Sequence, residues 1–171
     1  MLPQPDNTIV STHLGKASEY KSEYDRALLV REPRSSNRVH LNISDDSLPF
    51  IGYDTWNAYE VSGLTDHGIP VVGVGKIIYS CNSKYIVESK SLKLYFNSFN
   101  MTHLGKDAAD VRTNIARQAA QDLSELLETE VHVDVYSNAD VLTNDVNAYD
   151  EYTHDEYVTL EDIYSPVEIC G

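Results

Sequence analysis

The spacing of the apolar residues changes from a strand period to a helix period and back between residues 55 and 136, and this change limits the folds open to the chain. A β-prone run begins at Trp56 and ends at Asp66-His67-Gly68, and a second run covers residues 69–79. Aromatic and β-branched residues on both sides of a glycine-containing turn are typical of a hairpin. The sequence therefore predicts two antiparallel strands here.

Helical spacing follows in two segments. A short amphipathic helix is predicted to begin within Glu88-Ser89-Lys90-Ser91, and a longer one to run from an N-cap at Asp107 down to Glu128. The apolar residues that carry the helical period are Leu92, Tyr95, Phe96 and Phe99 in the first helix, and Ala108, Val111, Ile115, Ala119, Leu123 and Leu126 in the second. Each apolar stripe is expected to face a sheet.

The strand period returns after the second helix. Val131, Val133 and Val135 alternate with polar residues, which predicts a strand with one buried face, and a weaker strand is predicted at residues 157–160. The order ββααββ favours an α+β fold, with an antiparallel four-stranded sheet and two helices on one face. We divide the chain into an extended N-terminal arm, residues 1–47, and a single domain with an acidic C-terminal part, residues 48–171.

Charge is distributed unevenly along the 171 residues. The chain holds 13 Lys and Arg against 27 Asp and Glu, a formal net charge of −14, and residues 101–171 hold 16 of the acidic side chains but only 3 basic ones. Such a surface repels phosphate backbones, so the sequence argues against direct nucleic-acid binding. The carboxylates form either a solvated face or a site for a cation or a basic partner.

Cysteine usage and hydropathy indicate the compartment. No stretch reaches the ~18 apolar residues of a spanning helix, and the first residues have neither a basic start nor an apolar run. Cys81 and Cys170 provide no disulfide framework and no metal-ligand spacing. We expect a cytoplasmic protein with reduced thiols, no membrane contact and no bound metal.

Three other patterns were weighed as sites. Gly73-Val74-Gly75-Lys76 lacks the further glycine and the Lys-Ser/Thr end of a phosphate loop, which favours a close backbone approach within a strand. The six histidines show no i, i+4 spacing of a helical zinc pair. Cys81 lies in a polar turn near Lys84, and both an inert thiol and a catalytic nucleophile stay open for it.

The segment that begins at Glu88 carries more chemistry than these. A carboxylate, two hydroxyls and two ammonium groups stand at a predicted helix start, directly after a predicted strand. Backbone N–H groups, the helix dipole and the lysines favour an anionic group, and a carboxylate there can accept paired N–H donors from a purine-like ring. A nucleotide-type site and an ordinary capped helix are the two interpretations.

The strongest resemblance to a known family lies in the run Glu88-Ser89-Lys90-Ser91-Leu92-Lys93-Leu94-Tyr95, continued by Asn97-Ser98-Phe99-Asn100. This run is similar to the signature of the QueF family, the NADPH-dependent 7-cyano-7-deazaguanine reductases of queuosine biosynthesis, a tRNA modification pathway. Further similarity, to the N-terminal module of two-module members, covers residues 12–136 and fades in the acidic part. It includes Leu14-Gly15-Lys16, Tyr24-Asp25, Pro33-Arg34-Ser35, Leu48-Pro49-Phe50 and Tyr59-Glu60.

This resemblance implies the tunnelling fold, ββααββ, whose modules join edge to edge into barrels with ligands at the seams. It also implies an oxidoreductase in which a cysteine thiolate attacks the substrate nitrile, an aspartate handles protons, and two NADPH molecules deliver hydrides. The implied partners are a small 7-deazaguanine substrate and either a cysteine-bearing tunnelling-fold module or identical chains.

Carried over residue by residue, the resemblance assigns substrate binding to Val87, Glu88 and Ser89, and NADPH binding to Ser89 and Lys90. It assigns no catalytic residue, because this chain reads Val61-Ser62-Gly63-Leu64-Thr65-Asp66 where one-module members have their cysteine, and His103 lacks the acidic neighbour of the family's His-Glu pair. The implied protein is the motif-bearing module of a two-module reductase, inactive by itself. The alternative is a stand-alone, non-catalytic module that binds a nucleotide or assembles with other chains.

Overall fold

The computed structural model describes residues 23–137, which form an α+β fold with antiparallel sheets, as predicted. The strands are β1 (Arg31–Pro33), β2 (Tyr53–Leu64), β3 (Pro70–Ser80), β4 (Tyr85–Val87) and β5 (Val131–Tyr136). The α-helices are α1 (Ser35–Arg38), α2 (Ser89–Asn97) and α3 (Ala108–Leu127), and single 3-10 turns cover Arg26–Leu28 and Val39–Leu41.

The larger sheet has the order β2-β3-β5, with both pairs antiparallel. The hairpin of β2 and β3 is confirmed, and its turn places Gly68 at a φ of +79°, a left-handed conformation that glycine adopts without strain. The weaker strand predicted at residues 157–160 lies outside the described residues. The four-stranded sheet and the tunnelling fold therefore stay predictions.

Both predicted helices are confirmed and pack on the same sheet face. The side chains of Asp107 and Glu88 cap α3 and α2 respectively. The predicted apolar stripe of α2 is buried, and so is that of α3 except for Ala108, which is exposed, and Leu126, which is half-buried beside the buried Leu127. The register partners Trp56, Ile77 and Val133 of the sheet belong to the same core. Because each helix buries one face, the helical spacing of its apolar residues predicted the helix correctly.

Gly73 and Gly75 lie inside β3, where their close contacts have a structural cause. A Cβ atom on Gly73 would stand 2.6 Å from the carbonyl oxygen of Tyr136 in the neighbouring strand. The predicted close backbone approach is confirmed. On its other side β3 faces a β-bulge of β2 between Ala58 and Val61, which turns Tyr59 and Glu60 outward.

The segment predicted to be an extended arm contains regular structure among its described residues. β1 pairs antiparallel with β4, and Leu29 joins the core with 7% of its surface exposed. Arg34 is buried, and its guanidinium donates to Ser83 Oγ at 3.0 Å from Nε. Residues 29–34 therefore pack against residues 83–87. The division of the chain at residue 47 stays a prediction.

The carboxylate of Asp122, a residue of α3, is buried inside the protein, with 1% of the residue's surface exposed. Its Oδ2 accepts hydrogen bonds from the hydroxyls of Tyr24 at 2.5 Å and of Tyr95 at 2.7 Å. Its Oδ1 accepts one from Gln118 Nε2 at 3.1 Å, and Arg26 Nε lies 3.7 Å away. These donors replace the water that the carboxylate loses on folding.

The Tyr24 hydroxyl should make the protein sensitive to alkali. Burial and the adjacent Asp122 carboxylate raise the pKa of Tyr24 to about 12, and the same causes place the pKa of Tyr95 well above its ordinary value. Both hydroxyls therefore stay protonated in the folded state where tyrosines of the unfolded chain ionise, near pH ~10. Their contribution to stability is complete below about pH 10 and decreases as the pH rises from there, and that of Tyr24 is lost by about pH 12.

Urea unfolding at several pH values across this window measures the effect. We expect the free energy of unfolding to fall with pH, and to fall less steeply in Tyr24→Phe than in the wild type. Tyr59→Phe is the matched control, because the side chain of Tyr59 is 74% exposed and its hydroxyl lies outside the Asp122 cluster. Equal slopes in all three proteins would contradict the prediction.

Candidate functional site

The start of α2 is organised by the carboxylate of Glu88. Its Oε1 accepts the backbone N–H of Lys90 at 3.0 Å, and its Oε2 accepts that of Ser91 at 2.7 Å. These contacts fix the side chain at the helix N-terminus, where the dipole stabilises negative charge. Each oxygen keeps a second lone pair, so the carboxylate can still accept hydrogen bonds from a ligand.

This cap changes the interpretation of the helix start. The sequence left open an external anion at the backbone N–H groups and an ordinary capped helix, and the structure shows two of those groups bonded to the chain's own Glu88. An added phosphate at the same two N–H groups would have to displace this carboxylate. The ordinary-cap interpretation is therefore confirmed for the N–H groups, and the remaining acceptor capacity of Glu88 suits a hydrogen-bond donor rather than an anion.

A cleft of about 340 Å³ lies beside this helix start, between α2 and β2. Its apolar lining comes from the side chains of Trp56, Ala58, Leu92 and Phe96, and its polar lining from Asn57, Tyr59, Glu60, Ser89, Lys93 and Asn97. An apolar floor with a polar rim suits a planar heterocycle that needs a few directed hydrogen bonds. The volume is at the lower end of the range for small-molecule pockets, about 300–1,000 Å³.

The predicted site residues lie close together in the chain but differ in their surroundings. Ser89 is exposed and lines the cleft, whereas Val87, Glu88 and Lys90 are not among the lining residues. Lys90 is exposed, and Glu88 is partly buried. Val87 is 2% exposed and belongs to the core at the end of β4, so its side chain is packed inside the protein. A contact of Val87 with a ligand would come from its backbone.

The strand β2 contributes cleft residues that the sequence did not mark as a site. Trp56, Tyr59 and Glu60 were interpreted as strand residues or as part of the family resemblance, and not as site residues. The Nζ of Lys93 lies 3.5 Å from Glu60 Oε2, and this exposed pair connects the two sides of the cleft. An exposed ion pair contributes little to the free energy of folding. Its main effect is therefore on the charge at the rim of the cleft.

The other candidates of the sequence analysis lie apart from this cleft. Cys81 is 8% exposed in the turn after β3, and its carbonyl oxygen accepts a hydrogen bond from Arg38 Nη2 at 2.6 Å. It is not among the residues that line the cleft. Residues 23–137 bring no three His, Cys, Asp or Glu side chains into a metal-binding group. Within the same residues, each helix is too short or too polar to cross a bilayer.

Comparison with known proteins agrees with the motif at this helix start. The family model described as nitrile reductase, 7-cyano-7-deazaguanine-reductase N-term, matches residues 20–135. The chain belongs to this reductase family. The matched range contains the residues that line the cleft, the capped start of α2 and Asp122.

Curated members of the reductase family support the same assignment. The chain is 39% identical over 142 residues to a protein of Legionella pneumophila (strain Lens), covering 83% of this chain and 48% of that protein. It is 44% identical over 125 residues to one of Colwellia psychrerythraea, covering 72% and 41% respectively. It is 43% identical over 129 residues to one of Rickettsia bellii (strain OSU 85-389), covering 75% and 45%. All three are named NADPH-dependent 7-cyano-7-deazaguanine reductase, and the chain spans about half their length.

Proposed function

We propose that this chain is the N-terminal module of an NADPH-dependent nitrile oxidoreductase that reduces 7-cyano-7-deazaguanine to 7-aminomethyl-7-deazaguanine. The observation that carries the proposal is the family match over residues 20–135, with the family's motif at the rim of a cleft. A second, cysteine-bearing module supplies the nucleophile and the proton-handling aspartate, and identical chains are a further candidate partner for assembly. In this two-module arrangement, the chain provides substrate and cofactor contacts.

On the substrate side, the carboxylate of Glu88 accepts N–H donors from the deazaguanine edge. Its two existing hydrogen bonds to Lys90 and Ser91 restrict its rotation, so the acceptor is oriented before the ligand arrives. The backbone at Val87 and the hydroxyl of Ser89 complete the edge contacts. The apolar floor of the cleft, with Trp56 and Phe96, covers part of the ring system.

On the cofactor side, Ser89 and Lys90 offer a hydroxyl and an ammonium group, which are suited to ribose and phosphate oxygens. When it is bound, NADPH supplies the hydrides of the reduction. A cleft of about 340 Å³ is too small for a whole dinucleotide together with the substrate. Part of the cofactor would therefore lie outside the cleft, where the second module can hold it.

A direct test combines the chain with a cysteine-bearing family module, and follows NADPH oxidation in the presence of 7-cyano-7-deazaguanine. We expect turnover with both components and none with either alone. Turnover by the cysteine-bearing module at the same rate without this chain would contradict the proposal. Ligand binding by the isolated chain, with no gain in turnover on mixing, would instead favour the stand-alone binding module.

The isolated chain should form no covalent thioimide with 7-cyano-7-deazaguanine. The position of the family's nucleophile holds Ser62 to Thr65, and a hydroxyl without an adjacent base is a much poorer nucleophile than a thiolate. Cys81, 8% exposed in its turn, lies outside the cleft lining. Intact-mass measurement after incubation checks this expectation, with Cys81→Ser as the control variant. An adduct that disappears in Cys81→Ser would contradict it.

A further inference from the structure

One stretch of the chain connects the Asp122 cluster to the candidate site. We call residues 24–33 the strap. Its first residue, Tyr24, donates its hydroxyl proton to Asp122, and its last three residues form β1, paired with β4. Between these ends, Leu29 is buried in the core and Asp25 N donates to Ser98 Oγ at 3.2 Å.

The middle of the strap contacts the backbone of Glu88 directly. Glu88 N donates to the carbonyl oxygen of Val30 at 2.9 Å. Val30 N in turn donates to the hydroxyl oxygen of Ser91 at 3.1 Å, and that hydroxyl donates to the carbonyl oxygen of Glu88 at 2.7 Å. Both backbone polar groups of Glu88 are therefore hydrogen-bonded. Its N–H is bonded to the strap, and its carbonyl oxygen is bonded to the Ser91 hydroxyl, which the strap also contacts.

The Asp122 cluster anchors this arrangement from the opposite end. Asp122 accepts from Tyr24 of the strap and from Tyr95 of α2 on the same oxygen, so one carboxylate joins the strap to the helix that carries the motif. The only cation within 4 Å among the described residues is Arg26, at 3.7 Å and itself part of the strap. The burial of a carboxylate is costly, and an apolar residue of similar size often gives equal or higher stability.

We propose that Asp122 is a positioning residue for the candidate site. By accepting hydrogen bonds from the Tyr24 and Tyr95 hydroxyls, it keeps the strap packed against α2. The packed strap fixes the backbone of Glu88 and hence the direction of its carboxylate. This inference rests on the proposed function, because the direction of Glu88 matters only if Glu88 accepts a ligand. The substrate class is the one proposed above, a planar ring with N–H donors at its edge.

Tyr24→Phe is the decisive variant. It removes the hydrogen bond that the hydroxyl donates to Asp122 and the one that it accepts from Gln118 Nε2, and it leaves Asp122 with Tyr95 and Gln118 as donors. Hydrogen exchange detected by NMR on the full chain should show about ten-fold or faster exchange of the Val30 and Glu88 amides. Amides of β3 should be unchanged. Val133→Ala is the control, since it weakens the core at β5 and leaves every hydrogen bond of the strap in place.

The same variants are then titrated with 7-cyano-7-deazaguanine, in complex with the cysteine-bearing module. We expect the dissociation constant to rise about ten-fold in Tyr24→Phe and to stay at the wild-type value in Val133→Ala. Unchanged exchange of the Glu88 amide in Tyr24→Phe would overturn the inference. Faster exchange with wild-type affinity would also overturn it, whereas failure of the wild type itself to bind would refute the proposed function.

Discussion

Substituting Phe99 by alanine should lower the free energy of unfolding by about 3–5 kcal/mol, the largest stability effect we expect from a single change. The side chain is 1% exposed, and its ring centroid lies 4.9 Å from that of Tyr24 and 5.2 Å from that of Tyr95. Removal of the ring leaves a cavity at the point where the strap, α2 and the sheet meet. Chemical denaturation followed by circular dichroism measures the loss.

Two variants control this measurement. Phe99→Leu keeps most of the volume and should cost about 1 kcal/mol. Met101→Ala, two residues further along, removes a side chain that is 59% exposed and should change stability by less than about 0.5 kcal/mol. A loss below about 1.5 kcal/mol for Phe99→Ala would show that the three aromatic rings do not form a packed unit in solution.

Replacement of Glu88 should weaken substrate binding by about 2 kcal/mol or more in the assembled enzyme, because buried N–H donors of the ligand would lose their acceptor. Glu88→Ala also removes the helix cap and should lower stability by about 1 kcal/mol. Glu88→Asn separates the two effects, since asparagine is a good N-cap without a charged carboxylate. Calorimetric titration with 7-cyano-7-deazaguanine should show the binding loss in both variants.

Lys90→Ala is the matched variant for the cofactor side. It should weaken NADPH binding with a salt dependence that the Glu88 effect lacks, because exposed charges are screened by added salt. The affinity for the substrate should stay at the wild-type value. Wild-type affinity for both ligands in all of these variants would mean that this segment is only a well-capped helix start.

Local pattern determined most of the secondary structure of the described residues. The strand period over residues 55–80 and 131–136, and the helical periods before and after Asp107, fixed which elements form, because a two-layer fold must bury one face of each. The caps at Glu88 and Asp107 were also within reach of the sequence, since a cap is made with backbone groups two or three residues away.

The position of Asp122 within the helical pattern of α3 indicates the buried cluster. Asp122 stands three residues after Ala119 and seven after Ile115, on the buried side of α3. A charged residue at a core position of an amphipathic helix indicates a buried partner. Its partners could not be named, because Tyr24 lies 98 residues away and Tyr95 lies 27 residues away in the chain.

Taken by itself, the sequence determined the order of the elements, the α+β class and the motif at the start of α2. Only the tertiary structure decided that β2 forms the second wall of the cleft, and that the strap holds the Glu88 backbone through Val30, 58 positions away in the chain. The physical reason is the range of the contacts. Periodicity and caps depend on neighbours within one or two turns, whereas a cleft and a strap depend on which distant segments pack together.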